Sequence, residues 1–281
     1  MVDTKINFLL LVVLYNKSLQ TSETLGSLLT LRDQLKGSKL LLWDNSPASS
    51  LTKHELEVLQ SSFTEVEYVC TPENLALSAI YNQVLQRQEM AKYEGLVLLD
   101  HDSLLADNFF TEARSSMAQH PDINLFLPIV ESNNEIVSPA DLYLFKGVRW
   151  KQKQTGLTKA KHRAAINSGM VIRASYLQNE YKGYDERLKF YGTDTYFMNC
   201  YATQNTYFYV LNTSILHQLN YFEKEELDVK LRRFREIRRS TAILNEQSIW
   251  TKALTEVYLL AFSALQAVRF KSTRFLYDHK R

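Results

Sequence analysis

The chain has 281 residues, 45% hydrophobic and 23% charged, enough to bury a core without disulfides or a structural metal. Eight glycines and five prolines exclude collagen-like and low-complexity classes, and a formal charge of +2 gives no global reason to expect nucleic acid. Cys70 and Cys200 form no C-x-x-C pair, so neither a disulfide framework nor a cysteine zinc site is expected, and both read as buried thiols in a reducing cytosol.

The first feature is an apolar run from Ile6 to Tyr15, broken only by Asn7. Asp3 and Lys5 cancel before it, and bulky Asn16-Lys17 follow it, so it reads as a buried strand rather than a signal peptide. It is also too short to span a bilayer. Four such runs occur in the first half: Phe8–Leu14, Leu40–Trp43, Val66–Val69 and Leu96–Leu99. Polar stretches with helical spacing separate them, for example Leu25, Leu28, Leu29, Leu31 and Leu35. Continuous apolar strands alternating with helices predict βαβ units and a mostly parallel sheet.

In such sheets ligands bind beyond the carboxyl ends of the strands. The strand ends here are Tyr15-Asn16-Lys17, Asp44-Asn45-Ser46, Thr71-Pro72-Glu73-Asn74 and Asp100-His101-Asp102-Ser103. A single polar strand end is an ordinary turn. Four in succession, two of them acidic, point to a site. Asp100 and Asp102 are the sharpest pair, because residues i and i+2 of an extended segment share a side. Two hard carboxylates there suit Mg²⁺ or Mn²⁺, which in turn hold diphosphate oxygens.

Further on, Leu125–Val130 and Leu142–Phe145 read as strands, with Asn133-Asn134 as a turn between them. Lys146 to Arg163 carries seven Lys/Arg and no acid, which reads as a solvated, mobile loop or a flap over phosphates. Ala164–Arg173 is strand-like but holds Asn167-Ser168-Gly169, and a glycine inside a strand marks close approach of a ligand or another backbone. Gly183-Tyr184-Asp185-Glu186-Arg187 and Gly192-Thr193-Asp194 follow, with Thr193 or Asp194 placed to cap a helix starting near Thr195. Strands at Thr206–Leu211 and Ile215-Leu216-His217 precede a helical, basic end.

That end divides the charge. Residues 225–281 hold 12 Lys/Arg against 7 Asp/Glu, while the first 224 hold 21 against 24. Within 230–239, Lys230, Arg232, Arg233, Arg235, Arg238 and Arg239 oppose Glu236 alone, interleaved with Leu231, Phe234 and Ile237. A basic amphipathic helix of this kind suits peripheral contact with an anionic membrane face, or a solvated cap on the domain.

The order of these motifs resembles family 2 glycosyltransferases of the GT-A fold. The resemblance rests on Val13-Leu14-Tyr15-Asn16, Trp43-Asp44-Asn45-Ser46, Glu73-Asn74-Leu75-Ala76 with Asn82, and Leu99-Asp100-His101-Asp102-Ser103. Asn167-Ser168-Gly169, Tyr184-Asp185-Glu186-Arg187, Gly192-Thr193-Asp194 and His217 complete it. The Asp-x-Asp-Ser and Ser-Gly elements look most like the rhamnosyltransferase-like branch.

The resemblance implies an α/β, Rossmann-like, mostly parallel sheet flanked by helices over residues 1–223, followed by a helical extension over 224–281. It implies an inverting, metal-dependent hexosyl transfer from a nucleoside-diphosphate sugar to a hydroxyl. The favoured donor is dTDP-rhamnose, with a UDP-hexose next, and the acceptor is a lipid-linked bacterial surface glycan. That places the chain in the cytoplasm, at the cytoplasmic face of the inner membrane. Tyr15, Asn16, Asp44, Asn74, Asp100, Ser168 and Gly169 would line the nucleotide sugar. Asp102, Asp100 and His217 would hold Mg²⁺ or Mn²⁺, and Asp194 would be the base, with Asp185 and Glu186 as rivals. Without the resemblance, Asp194 reads as a helix N-cap and His217 as a buried core histidine.

Two other classes compete. A nucleotidyltransferase also places acids after a parallel strand, but it carries a glycine-rich loop after the first strand, and Asn16-Lys17-Ser18-Leu19-Gln20 has no glycine. A non-catalytic glycan-binding protein of the same fold would lose the acids, and Asp100, Asp102 and Asp194 are all present.

Overall fold

The computed structural model describes residues 6–217 and 226–277. The strands are β1 (Phe8–Leu14), β2 (Lys39–Asp44), β3 (Glu65–Cys70), β4 (Gly95–Asp100), β5 (Ser103–Leu105), β6 (Leu125–Ser132) and β7 (Glu135–Ser138). They continue as β8 (Ala140–Tyr143), β9 (Lys146–Arg149), β10 (Gly156–Lys159), β11 (Arg163–Ala164), β12 (Val171–Arg173) and β13 (Tyr207–His217). The helices are α1 (Glu23–Thr30), α2 (Lys53–Ser62), α3 (Leu77–Leu85), α4 (Phe109–Gln119), α5 (Ala174–Asn179), α6 (Thr193–Gln204), α7 (Leu227–Leu244), α8 (Ile249–Arg269) and α9 (Arg274–Tyr277).

The main sheet runs β3-β2-β1-β4-β12-β6-β13-β10, with β5 paired to β13 and β7 to β6. The first four strands are parallel. Their registers align Leu14 with Asp44, Asp44 with Cys70 and Val13 with Asp100. The four polar strand ends therefore lie along one edge, as the sequence predicts.

Helices cover both faces, so every residue of β1 is buried. Alternate side chains serve opposite cores. Leu9, Leu11 and Val13 pack with Leu41, Trp43 and Ile80. Phe8, Leu10, Val12 and Leu14 pack with Leu25 and Leu28 of α1. Truncating a fully buried residue such as Leu11 to alanine should cost about 2–5 kcal/mol.

Several sequence expectations are corrected. The basic segment 146–163 is not a mobile loop but holds strands β9 and β10 and runs into β11. Ion pairs pin it: Lys153 to Glu131 at 2.6 Å, Arg163 to Asp141 at 3.2 Å, and Arg149 to Glu135. No residue of that segment lines the cavity described below, so it is no flap over that site. Asn133 and Asn134, both at positive φ, do form a turn, but it joins β6 to β7. Residues 165–168 are irregular, Gly169 and Met170 bond to Leu98 of β4, and β12 begins only at Val171. Cys70 is exposed at the end of β3 rather than buried.

The helical end begins at Leu227 and breaks at 245–248, while the expected boundary at 223/224 lies outside the described residues. Leu231, Phe234 and Phe275 form a small core of their own. The extension also packs on the body. A side chain at Gly192 would meet Ser240 at 3.0 Å and Leu244 at 3.1 Å, and the Tyr258 ring lies tilted against Phe145 with centroids 4.9 Å apart.

Candidate active site at the carboxyl ends of the parallel strands

The strand-end loops lock one another. The Asn16 N–H donates to Ser46 Oγ at 2.7 Å. Asn45 Nδ2 donates to Asn74 Oδ1 and Leu75 O, both at 2.9 Å, while Asn45 Oδ1 accepts from Thr71 Oγ1 and the Leu75 N–H. Asn16 and Asn74 both adopt positive φ, a region that asparagine tolerates better than most residues.

The turn after β4 is held from α1. Thr24 Oγ1 donates to the Asp100 carbonyl, the Ser103 N–H donates to Thr24 Oγ1 at 2.9 Å, and Ser22 Oγ donates to the His101 carbonyl at 2.8 Å. From the other side, the Asp100 N–H donates to Ser168 Oγ at 3.2 Å, and Ser168 meets Ser103 at 2.7 Å. Ser103 continues the chain to His217 Nδ1 at 3.1 Å. His217 Nδ1 lies 3.4 Å from Asp102 Oδ1.

Asp100, Asp102 and His217 thus offer two oxygens and one nitrogen within 4.8 Å of one another. Burial raises the Asp100 carboxyl above the usual range; Asp102 and Asp194 add to the rise and His217 opposes it. An ionised Asp100 here lacks full hydration, and a divalent cation would supply the missing compensation. Hard oxygen donors with one imidazole suit Mn²⁺ or Mg²⁺. The residues present fit such a metal.

A cavity of about 790 Å³ opens above this cluster. Ligand pockets span roughly 300–1,000 Å³, so it has room for a nucleotide sugar. Val13, Tyr15, Asn45, Asn74 and Leu77 line it from the strand ends, with Asp100, His101, Asp102 and His217. Lys189, Phe190 and Tyr191 line it from the segment before α6. Val229, Arg232, Arg233, Arg235 and Glu236 of α7 complete the lining.

Not every expected residue faces this space. Asp44 is fully buried and accepts from the Ser46 N–H at 3.1 Å, Ser46 Oγ at 2.5 Å, the Ser50 N–H at 2.6 Å and Tyr68 Oη at 2.5 Å. Burial alone would raise its carboxyl, but the hydrogen bonds from Ser46, Tyr68 and Ser50 outweigh it and hold it below the usual range. Asp44 therefore shapes the 44–50 loop. Asn16 acts through its backbone bond to Ser46 and does not line the cavity. Ser168 supports Asp100 from below. Gly169 has φ +84°, and Pro128 Cγ stands 2.7 Å from where a side chain would begin, so packing dictates this glycine.

Asp194 lies in the first turn of α6 but is not its N-cap, which is Gly192 at φ +86°. Thr193 is occupied too, accepting from Asn167 Nδ2 at 3.0 Å. The Asp194 carboxylate accepts from the Thr195 N–H at 2.7 Å. Burial raises its carboxyl, against those Thr195 hydrogen bonds. It is not on the cavity lining, yet its charge reaches Asp100. Of the rivals, Asp185 is clamped by Arg187 Nε at 3.0 Å and Nη2 at 2.6 Å, and that pairing lowers its carboxyl. Glu186 is exposed and lies 3.3 Å from Asn82 Nδ2.

The cavity residues with no binding role expected from sequence include Asn45, His101, the 189–191 segment and Arg232, Arg233 and Arg235 of α7. The arginines were visible as a basic helix, but only the fold turns them to the cleft. The apolar side of that helix is not free for a membrane, because Leu231 and Phe234 are buried against Phe275.

The parallel sheet, the acidic turn after its fourth strand and the flanking helices define the GT-A fold of glycosyltransferases. Residues 1–349 of TarS from S. aureus share it at a TM-score of 0.57 and 13% identity, over 92% of this chain and 70% of that one. Its complex with UDP-GlcNAc aligns at 0.53 and 13%, over 92% and 71%. Its complex with UDP aligns at 0.52 and 15%, over 96% and 73%. No family model and no curated protein sequence matches the chain.

Proposed function

We propose that the chain transfers a sugar, with inversion, from a nucleoside-diphosphate donor to a hydroxyl of a lipid-linked bacterial surface glycan. The observation that carries this reading is the Asp100–Asp102–His217 cluster on the floor of the cavity, at the ends of the parallel strands. The UDP and UDP-GlcNAc complexes of the TarS neighbours support a nucleotide-sugar donor in the same fold. They put UDP-hexoses first for testing, beside the dTDP-rhamnose that the motifs favour.

Each residue has a task. Tyr15, Asn45 and Asn74 receive the nucleoside at the rim. Asp100, Asp102 and His217 would hold Mg²⁺ or Mn²⁺, which would supply positive charge for the donor's diphosphate leaving group. Arg232 and Arg235 bring positive charge to the same phosphates from α7. Asp194 takes the proton from the acceptor hydroxyl as it attacks the anomeric carbon. Asp194 is the base because its burial raises proton affinity, whereas Arg187 holds Asp185 as a bound anion.

The test is release of nucleoside diphosphate from UDP-GlcNAc, UDP-glucose, UDP-galactose and dTDP-rhamnose with Mn²⁺ present. One donor should turn over, EDTA should stop it, and Asp102→Ala should lose both turnover and Mn²⁺ binding by electron paramagnetic resonance. Full turnover of Asp102→Ala in EDTA would sink the metal assignment. Absence of Mn²⁺-dependent binding of both UDP and dTDP would sink the donor reading.

A further inference from the structure

Helix α8 presents an apolar face that nothing in the chain's described residues covers. Trp250, Leu254, Val257, Ala261, Ala264 and Val268 recur at alternating steps of four and three, and all are exposed. Ile249, Leu260 and Leu265 widen the face on both sides and are exposed as well. The opposite side, Thr255, Leu259 and Ser263, is buried, and Arg238 of α7 bonds to Ser263 and the Leu259 carbonyl. No charge occurs from Val257 to Val268. Lys252 and Glu256, near the start of the helix, line a pocket on the α7 side with Arg187, Arg239 and Glu246, while Arg269 and Lys271 stand at its end.

We infer that α8 is a membrane-contact helix, lying flat on an anionic lipid leaflet through this face. The width of the face selects the partner. A two-stranded coiled coil needs a narrow seam with charged flanks, whereas here the flanks are Ile249, Leu260 and Leu265. An apolar arc covering about half the helix matches a lipid surface better than a second helix. Arg269 and Lys271 at the end of the helix complement anionic headgroups, and Trp250 is the aromatic type that settles at the lipid–water boundary. The helix lies on the bilayer rather than across it: no described helix is long and apolar enough to cross, and one side of α8 is already packed on α7. The inference deepens the lipid-linked acceptor of the proposed function. It moves the expected contact from the 230–239 helix, whose Arg232, Arg233 and Arg235 line the cleft, to the helix after it.

Vesicle binding tests it without donor or acceptor, so failure of the transfer assay and failure of this inference are separate results. Sedimentation would use the full chain with vesicles of phosphatidylcholine alone and of phosphatidylcholine with phosphatidylglycerol. Tryptophan emission provides a second readout, since Trp250 is 82% exposed while Trp43 and Trp150 are 2% and 6%. The wild type should co-sediment with the mixed vesicles, more weakly at high salt, and its emission should shift to the blue. Trp250→Phe should abolish the shift but keep the binding. Leu254→Gln, Val257→Gln and Leu265→Gln together should reduce partitioning at least about tenfold, with an unchanged circular dichroism spectrum. Equal partitioning of the triple variant, or no binding of the wild type to mixed vesicles at low salt, overturns the inference. So does a lipid-free dimer by light scattering that the triple variant converts to monomer, which would assign the face to a second copy.

Discussion

Arg187 reaches both carboxylate oxygens of Asp185 and also Glu246 at 2.5 Å. An acid so engaged is a weak proton acceptor. Asp194 has no cationic partner among the described residues, and burial raises its proton affinity. Asp194→Asn keeps the shape and removes the basic oxygen, so turnover should fall about 10²–10⁴-fold while UDP binding by calorimetry stays near wild type. Asp185→Asn should change turnover by no more than a few-fold, since it loosens only an exposed ion pair. The pH dependence follows from the sign of the shift. A base works only when deprotonated, so kcat/KM should be full above the Asp194 pKa and fall as pH drops through it. That acid limb should lie above the ordinary carboxylate range, near 4, because burial has raised the group. A limb at or below 4 would point to a different base.

At the scale of elements, the site depends on contacts made well below it. Ser168 supports Asp100 because the irregular stretch before β12 turns at Gly169 while staying bonded to Leu98 of β4. Gly169→Ala would force a side chain into Pro128 and Ile215 at a φ that L-residues avoid. It should cost about 2–4 kcal/mol in urea unfolding, and transfer activity with it. At the other end of the parallel strands, Lys39 of β2 is buried against Glu65 at 3.0 Å, Glu67 at 2.7 Å and Glu89 at 2.8 Å. Burial would lower the Lys39 pKa, but its bonds to Glu67, Glu89 and Glu65 outweigh that and raise it. Burial would likewise raise Glu67 and Glu89, and Lys39 with Arg87 lowers them instead. Groups with depressed folded pKa values stabilise above their unfolded pKa and lose that contribution as pH falls through the folded value. Lys39, with a raised value, keeps its contribution until pH climbs past the ordinary lysine range. Wild-type stability should therefore decline below about pH 4.3, and Lys39→Ala should cost about 3 kcal/mol at neutral pH with a shallower acid decline. Melting temperatures between pH 3 and pH 8 would check both.

At the scale of the whole molecule, legibility follows the range of the interactions. The β1, β2, β3 and β4 strands were readable because burial on both faces writes continuous apolar runs such as Phe8–Leu14. The Asp100-x-Asp102 turn was readable because it follows one of them. The 146–163 segment was misread because Arg149, Lys153 and Arg163 pair with Glu135, Glu131 and Asp141, acids from neighbouring strands that no local pattern reveals. That Asp44 lies behind the cavity lining was not readable, because its five hydrogen bonds come from folding of the 46–50 loop and from Tyr68, 24 residues away. The α7 helix was the largest gap. Its pattern of basic and apolar residues fits a lipid surface as well as a cavity wall, and only its docking on Gly192 turns it to the cavity. That docking makes a prediction about the molecule as a unit. Arg232 and Arg235 are exposed on α7 and line the cavity over Asp100 and Asp102, yet they lie more than 120 residues away in sequence. If they meet the donor's phosphates, Arg232→Gln with Arg235→Gln should weaken UDP binding about tenfold at low salt. The deficit should shrink as salt screens the wild-type attraction. Mn²⁺ binding without nucleotide should not weaken, because the arginines ligate no metal. Calorimetry at two ionic strengths measures all three. Unchanged UDP affinity at low salt would remove α7 from the donor site and leave its arginines to the acceptor.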